Sequence, residues 1–411
     1  MNYESVYRNS FECKTFHLLS VLLALPLITN FLGSVMVIFK LSSNLTSYII
    51  YLYALVQIVY ILYKYNRLLL SSVVITTLFI FFFIAFQYLI FESNRIYFQK
   101  DFTNLIIVIV VYIPSLVMVT KIRNWHQFLQ YQLWYIKLTP IMILLILIIS
   151  SNTEFSNYMH LSNILLPGML GSYLWIKQSK TKLKQLLFLV YILIQLFTGS
   201  RSALIAVFIF IILVEIVSVK NIRGLLKKQV LVVSFTALVI IFNKIFLGSV
   251  YKIINIVDIT TSRNLRLFLS NNFFESNSRD SIYKLAIELI RKMDLRFYGL
   301  FGDRYILNLY MNDVVYVHNI YLELILAFGL ILGSIISLYL TLSIVVKIIK
   351  KTNIDYKIIL IYFTCLIFIR LLVSGSFIIE GNFYLLVGVL LNRKHIHEHN
   401  IEKHNHEREN T

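Results

Sequence analysis

The sequence predicts an all-α polytopic membrane protein with about 12 transmembrane helices and one large outer loop. Three observations lead there. Of the 411 residues 58% are hydrophobic, and the mean hydropathy is +0.77, a balance typical of lipid-embedded chains. Apolar runs long enough to cross about 30 Å of hydrocarbon recur along nearly the whole length. Basic residues also crowd into every second interhelical loop, which fixes an orientation.

Taken in order, residues 1–15 are polar and read as a cytoplasmic N-terminal tail. The first apolar run is long for a cleaved signal and reads as an anchor. Spans are expected at 16–38, 45–63, 69–91, 103–120, 133–150, 158–176, 184–198, 202–219, 229–247, 319–346, 357–374 and 376–392. With the N-terminus inside, the inner loops 64–67, 121–123, 177–184, 220–228 and 347–357 carry sixteen Lys or Arg. The short outer loops carry four: Lys40, Arg95, Lys100 and Arg201. Both termini are then cytoplasmic, and most of the +18 net charge is an orientation signal rather than a nucleic-acid footprint. Cys13 in the tail and Cys365 within a span leave no disulfide framework. No internal repeat or flexible linker divides 16–392, which reads as a single transmembrane domain. Residues 393–411, with His395, His397, His399, His404 and His406, read as a solvated, disordered cytoplasmic tail that would bind metal only adventitiously.

One hydrophilic stretch, 248–318, falls outside. It carries nine basic residues against seven acidic ones, against the charge rule but within what long loops tolerate. Inside it, 278–293 reads as an amphipathic helix: Ile282, Leu285, Ala286, Leu289, Ile290 and Met293 recur at helical spacing, with Ser278 as N-cap. Such a helix lies on the membrane surface or over the bundle. Arg279 occupies its first turn beside Asp280, where it serves either a ligand or a surface salt bridge.

Charge near hydrocarbon is costly and commonly functional. Arg201 sits in the turn Thr198-Gly199-Ser200-Arg201-Ser202-Ala203-Leu204. From Lys184 the preceding span rises only about 21 Å, some 9 Å short of a 30 Å core, so Arg201 is recessed unless it snorkels. Arg370 lies about 20 Å from the inner face by the same rise. Two guanidinium groups at that depth suit a pyrophosphate; an ion pair with Glu380 is the alternative for Arg370. His318 opens the tenth span in Val317-His318-Asn319-Ile320-Tyr321-Leu322-Glu323. There it is either a polar anchor or a proton acceptor for a hydroxyl, beside helix amides that favour anions. Tyr298, Phe301 and Tyr305 are core aromatics or platforms for sugar rings. No phosphate loop, zinc spacing or Asp-x-Asp is present, so neither a metal nor a nucleotide cofactor is expected.

These stretches resemble the O-antigen polymerase and O-antigen ligase family of bacterial envelope glycosyltransferases. The Ser-Arg turn at 198–204 is similar to the family's. So are Arg279 with its helix and Tyr298-Gly299-Leu300-Phe301-Gly302, and the His318-Asn319 helix start followed by Phe328-Gly329-Leu330-Ile331-Leu332-Gly333. Here two residues separate the turn glycines where one is common in the family.

The resemblance implies a GT-C-like fold in the bacterial cytoplasmic membrane, with the active site on the outer face. It implies transfer of a glycan from undecaprenyl pyrophosphate to an acceptor sugar, without metal or nucleotide. Arg201 and Arg279 would hold the donor pyrophosphate, and His318 would act as base or acceptor-orienting residue. Arg370, Asn319, Ser200, Tyr298 and Asp303 complete the expected substrate-binding set. Expected partners are the undecaprenyl-pyrophosphate-linked oligosaccharide, membrane lipid, a chain-length regulator and a flippase. A repeat-unit polymerase is the first expectation, a ligase the second and a flippase the third.

Overall fold

The computed structural model describes residues 3–38, 44–150, 158–198, 200–218, 279–292, 296–311, 316–350 and 353–392. The expected ninth span, residues 248–278, the N-cap Ser278, Met293 and the histidine-rich tail lie outside them. The described residues are helical, with no strand among them.

The helices are α1 Tyr3–Ile38, α2 Asn44–Tyr65, α3 Arg67–Ile90, α4 Phe102–Val119, α5 Phe128–Ser150, α6 Tyr158–Gln178 and α7 Lys182–Thr198. They continue with α8 Arg201–Ser218, α9 Arg279–Lys292, α10 Gly302–Asn308, α11 Ile320–Phe328, α12 Leu330–Ile349, α13 Ile354–Phe363 and α14 Gly381–Leu391. A π turn at Val108–Tyr112 interrupts α4, and another at Thr364–Phe368 extends α13 to Leu371. Six stretches among the described residues are long and apolar enough to cross a membrane: Ser10–Met36, Ser47–Tyr65, Leu69–Ile90, Phe102–Val119, Phe128–Ile149 and Leu330–Ile349. The chain is thus a helical, membrane-embedded protein. The outward faces of α2, α3 and α12 bear Leu52, Phe79, Phe82, Leu338 and Tyr339 exposed, as lipid-facing helices do.

Residues read from sequence as one domain pack as two compact units. One comprises Met1–Leu18, Tyr53–Trp125 and Ser276–Thr411, the other Leu19–Leu52 and His126–Glu275. In the second unit, α5, α6 and α7 are tied by hydrogen bonds from buried tyrosines. Tyr135 donates to the Ile164 carbonyl at 2.8 Å and Tyr191 to the Ile136 carbonyl at 2.7 Å. A Cβ on Gly171 would approach Ile136 Cδ1 to 2.8 Å, so glycine sets the closeness of α5 and α6.

In the first unit three expectations are corrected. The helix expected from residue 16 begins earlier, at Tyr3. Buried Glu12 there accepts the amides of Arg123 and Asn124 at 2.8 and 3.3 Å, and Phe16 meets Trp125. The last span starts at Gly381 rather than 376, because 372–380 is an irregular turn. The third correction shapes the site. The expected span 319–346 is two helices broken at Gly329, whose φ of 85° and ψ of 166° belong to a region open essentially to glycine alone.

α11 folds back along α12. The Tyr321 hydroxyl lies 2.9 Å from Thr341 Oγ1, although a straight helix would separate these residues by about 30 Å. The close crossing needs Gly333: a Cβ there would stand 2.5 Å from the Leu324 carbonyl oxygen and 2.6 Å from Ile325 Cα. Hydropathy is continuous through this segment, so an apolar-run reading joins what glycine separates.

Over this hairpin sit α9 and α10. α9 buries Ile282, Ala286 and Leu289, the i, i+4, i+7 face expected of the amphipathic helix, against Ile306, Leu307, Val317 and Leu326. The segment between α9 and α10 is fastened at both ends. The Tyr298 and Gly299 amides donate to the Leu326 and Ala327 carbonyls, each at 3.0 Å, capping the end of α11. On the other side the Asn94 side chain donates to the Tyr298 and Leu300 carbonyls at 2.6 and 2.9 Å, and Gln87 accepts the Leu300 amide at 3.2 Å.

Candidate functional site

His318 precedes α11, whose N-cap Asn319 accepts the Tyr321 and Leu322 amides at 3.0 and 3.3 Å. Its backbone is left-handed, φ 61°, a conformation costing a non-glycine residue roughly 1–2 kcal/mol. Neighbouring groups hold it there. The Val317 amide donates to the Asp303 carboxylate at 3.1 Å, and the Tyr283 hydroxyl donates to the His318 carbonyl at 3.1 Å. Asn319 Nδ2 donates to the Leu372 carbonyl at 3.1 Å. Strain kept by surrounding bonds is a recurrent property of functional positions.

The imidazole packs on Tyr316, ring centroids 4.2 Å apart, and its Nδ1 is buried without a hydrogen-bond partner. Burial, assisted by the charge of Arg279, pushes its pKa down to about 4. At neutral pH the ring is uncharged, and one nitrogen is free to engage an incoming group. Arg279 is thus within electrostatic reach of His318 although 39 positions separate them in sequence. Tyr316 is likewise within electrostatic reach of Arg370.

Arg370 is ion-paired with Glu380, the alternative foreseen from sequence, and its Nε remains buried and unpartnered. The turn carrying Glu380 is tied to α11 by Glu323, which accepts from Ser376 Oγ and from the Phe377 amide at 3.1 Å. His318 and Arg370 are therefore held by one set of contacts. Because α11 runs back along α12, this end of α11 lies beside Thr341, eleven residues or about 16 Å along α12 from Leu330.

Asp303 and Tyr298 are placed differently from His318. Asp303 is 1% exposed, and its carboxylate is committed to the Val317 amide. Burial raises its pKa, while Arg304 and the amide pull the other way. Tyr298 is half-buried against the core of α9 and α10. Arg304 is 3% exposed, ion-paired to Asp101, and stacked 4.4 Å from the ring of Phe301, itself left-handed at φ 63°.

Ser200 and Arg201 belong to the second unit. Ser200 is buried, with Oγ 2.8 Å from Ser202 Oγ, and its carbonyl accepts from Gln195 Nε2 at 3.4 Å. Gln195 also donates to Ser162. Arg201 is the first residue of α8. The preceding α7 has 17 residues, about 26 Å, so the shortfall expected beneath Arg201 shrinks to about 4 Å.

Tyr283 and Tyr316 escaped the sequence reading. The signal for Tyr283 was its i+4 spacing from Arg279, and for Tyr316 its place two residues before His318. Among the described residues no three His, Cys, Asp or Glu side chains converge as metal ligands. Comparison with family models, with curated proteins and with solved structures finds no match to this chain.

Proposed function

We propose that this protein is a polysaccharide repeat-unit polymerase of the bacterial cytoplasmic membrane. It transfers a glycan from undecaprenyl pyrophosphate to the acceptor sugar of another lipid-linked repeat unit, with about twelve spans, a GT-C-like arrangement and both termini cytoplasmic. The observation that carries this reading is His318, neutral and left-handed just before the broken helix α11, with Arg279 in electrostatic reach of its ring, Tyr316 packed on it and Arg370 in electrostatic reach of Tyr316. The cations suit the diphosphate of a lipid-borne donor and stabilise negative charge on the leaving group. The free imidazole nitrogen accepts a hydrogen bond from the acceptor hydroxyl and orients it. A bound diphosphate would offset the field of Arg279 and raise the basicity of His318 as the reaction needs it.

A ligase that moves finished glycan to another acceptor uses the same groups. The break at Gly329 favours one further reading, a flippase for the same lipid-linked sugars, since transporters place the N-termini of broken helices at anionic substrates.

Glycan size in a strain lacking the protein separates the three. Single repeat units at the surface support the polymerase. Long chains trapped on the lipid carrier indicate the ligase. Repeat units confined to the cytoplasmic leaflet overturn both in favour of the flippase.

A further inference from the structure

Arg279 and Tyr283 stand at i and i+4 on α9 and share one helical face. That face meets the segment before α11: Arg279 acts electrostatically on the His318 ring, and the Tyr283 hydroxyl donates to the His318 carbonyl at 3.1 Å. The hydrogen bond is a polar link from α9 to the residue whose backbone is held at φ 61°. Apolar contacts at this point run through Ile282, Ala286 and Val317. Apolar packing leaves rotation and sliding of α9 less restricted than a directional bond does.

We infer that Tyr283 is a positioning residue: its hydroxyl, bonded to the His318 carbonyl, keeps the imidazole in its left-handed setting and in register with Arg279. Tyr283 acts through His318 and need not touch substrate. The inference rests on the glycan-transfer reading for its kinetic test but not for its chemical one.

The kinetic test is Tyr283→Phe in the full-length protein in lipid vesicles. The expected result is a kcat lowered about tenfold with the donor KM unchanged, since tenfold corresponds to about 1.4 kcal/mol, the scale of one hydrogen bond. A raised KM with unchanged kcat would overturn the inference, because Tyr283 would then be binding substrate. The chemical test follows acylation of His318 by diethyl pyrocarbonate, read by peptide mass spectrometry, with His126 as internal reference. Tyr283→Phe is expected to accelerate modification of His318 at least threefold while leaving His126 unchanged. A His318 modification rate unchanged between wild type and variant overturns the inference. An inactive wild type would defeat the transfer reading alone, because the acylation test stands without it.

Discussion

Replacing His318 by glycine and, separately, by alanine isolates its backbone from its ring. Both changes delete the imidazole and its packing on Tyr316, so those losses cancel in the comparison. What differs is the cost of φ 61°. Alanine pays roughly 1–2 kcal/mol for the left-handed conformation, and glycine pays none. Glycine instead loses roughly 0.5–1 kcal/mol more chain entropy on folding. The difference leaves His318→Gly more stable than His318→Ala by about 0.5–1 kcal/mol, or about 1–3 °C in melting temperature. Thermal unfolding of the two proteins in one detergent, followed by loss of the monodisperse peak on size exclusion, gives the ordering. Both are expected to lack transfer activity. An alanine variant as stable as the glycine variant would refute a left-handed His318 and remove the idea that strain is kept there for function.

Four further outcomes are expected. Gly333→Ala drives a Cβ into the backbone of α11 at Leu324 and Ile325, so it should open the hairpin, lower stability by about 2 kcal/mol or more and abolish activity; a wild-type melting curve would contradict this. Asp101→Asn strips the buried Arg304 of its counter-ion and should cost about 3 kcal/mol, whereas breaking the exposed Lys292–Glu288 pair should leave the melting temperature unchanged. Phe301→Gly relieves φ 63° but empties a fully buried site; the loss of about 3 kcal/mol of packing outweighs the relief, and net destabilisation is expected in the same assay. His318 has its pKa lowered to about 4 from 6.5, so the folded protein binds fewer protons there than the unfolded chain. Its contribution to stability is full above about pH 6.5 and lost as pH falls towards 4, and kcat/KM, which reports the free enzyme, should be flat from about pH 5.5 to 8. A kcat/KM midpoint at 6.5 assigned to His318 would contradict its burial within the field of Arg279.

The sequence disclosed what hydrophobic spacing and glycine chemistry determine locally. Apolar runs marked the long helices, and the stripe from Ile282 to Leu289 marked α9 with its buried face. Gly329 and Gly333 were visible, but the break was not, because apolar residues continue through it and only the approach of α11 to α12 demands glycine. Helix formation in residues 3–15 was also hidden. Those residues are polar for a span, and their helix is held by Glu12 meeting amides more than a hundred positions away. At the site, Arg279 and His318 were legible as residue types in suggestive turns. That Arg279 bears on His318 electrostatically, that the Tyr283 hydroxyl bonds the His318 carbonyl and that Asp303 accepts the Val317 amide are consequences of packing between distant segments. Arg370 shows the limit clearly: sequence offered Glu380 or a ligand as its partner, and the ion pair forms while Nε stays free.

Polymerase activity is tested by glycan transfer by the purified protein in lipid vesicles supplied with undecaprenyl-pyrophosphate-linked oligosaccharide alone. Product length and released undecaprenyl pyrophosphate would be measured together, for wild type and for Arg279→Gln and His318→Ala. A polymerase yields a ladder of lengthening lipid-linked glycans with one carrier diphosphate released per joining step, and neither variant yields a ladder. Folded wild-type protein that yields no ladder, or a His318→Ala variant that yields the wild-type ladder, would contradict the polymerase reading.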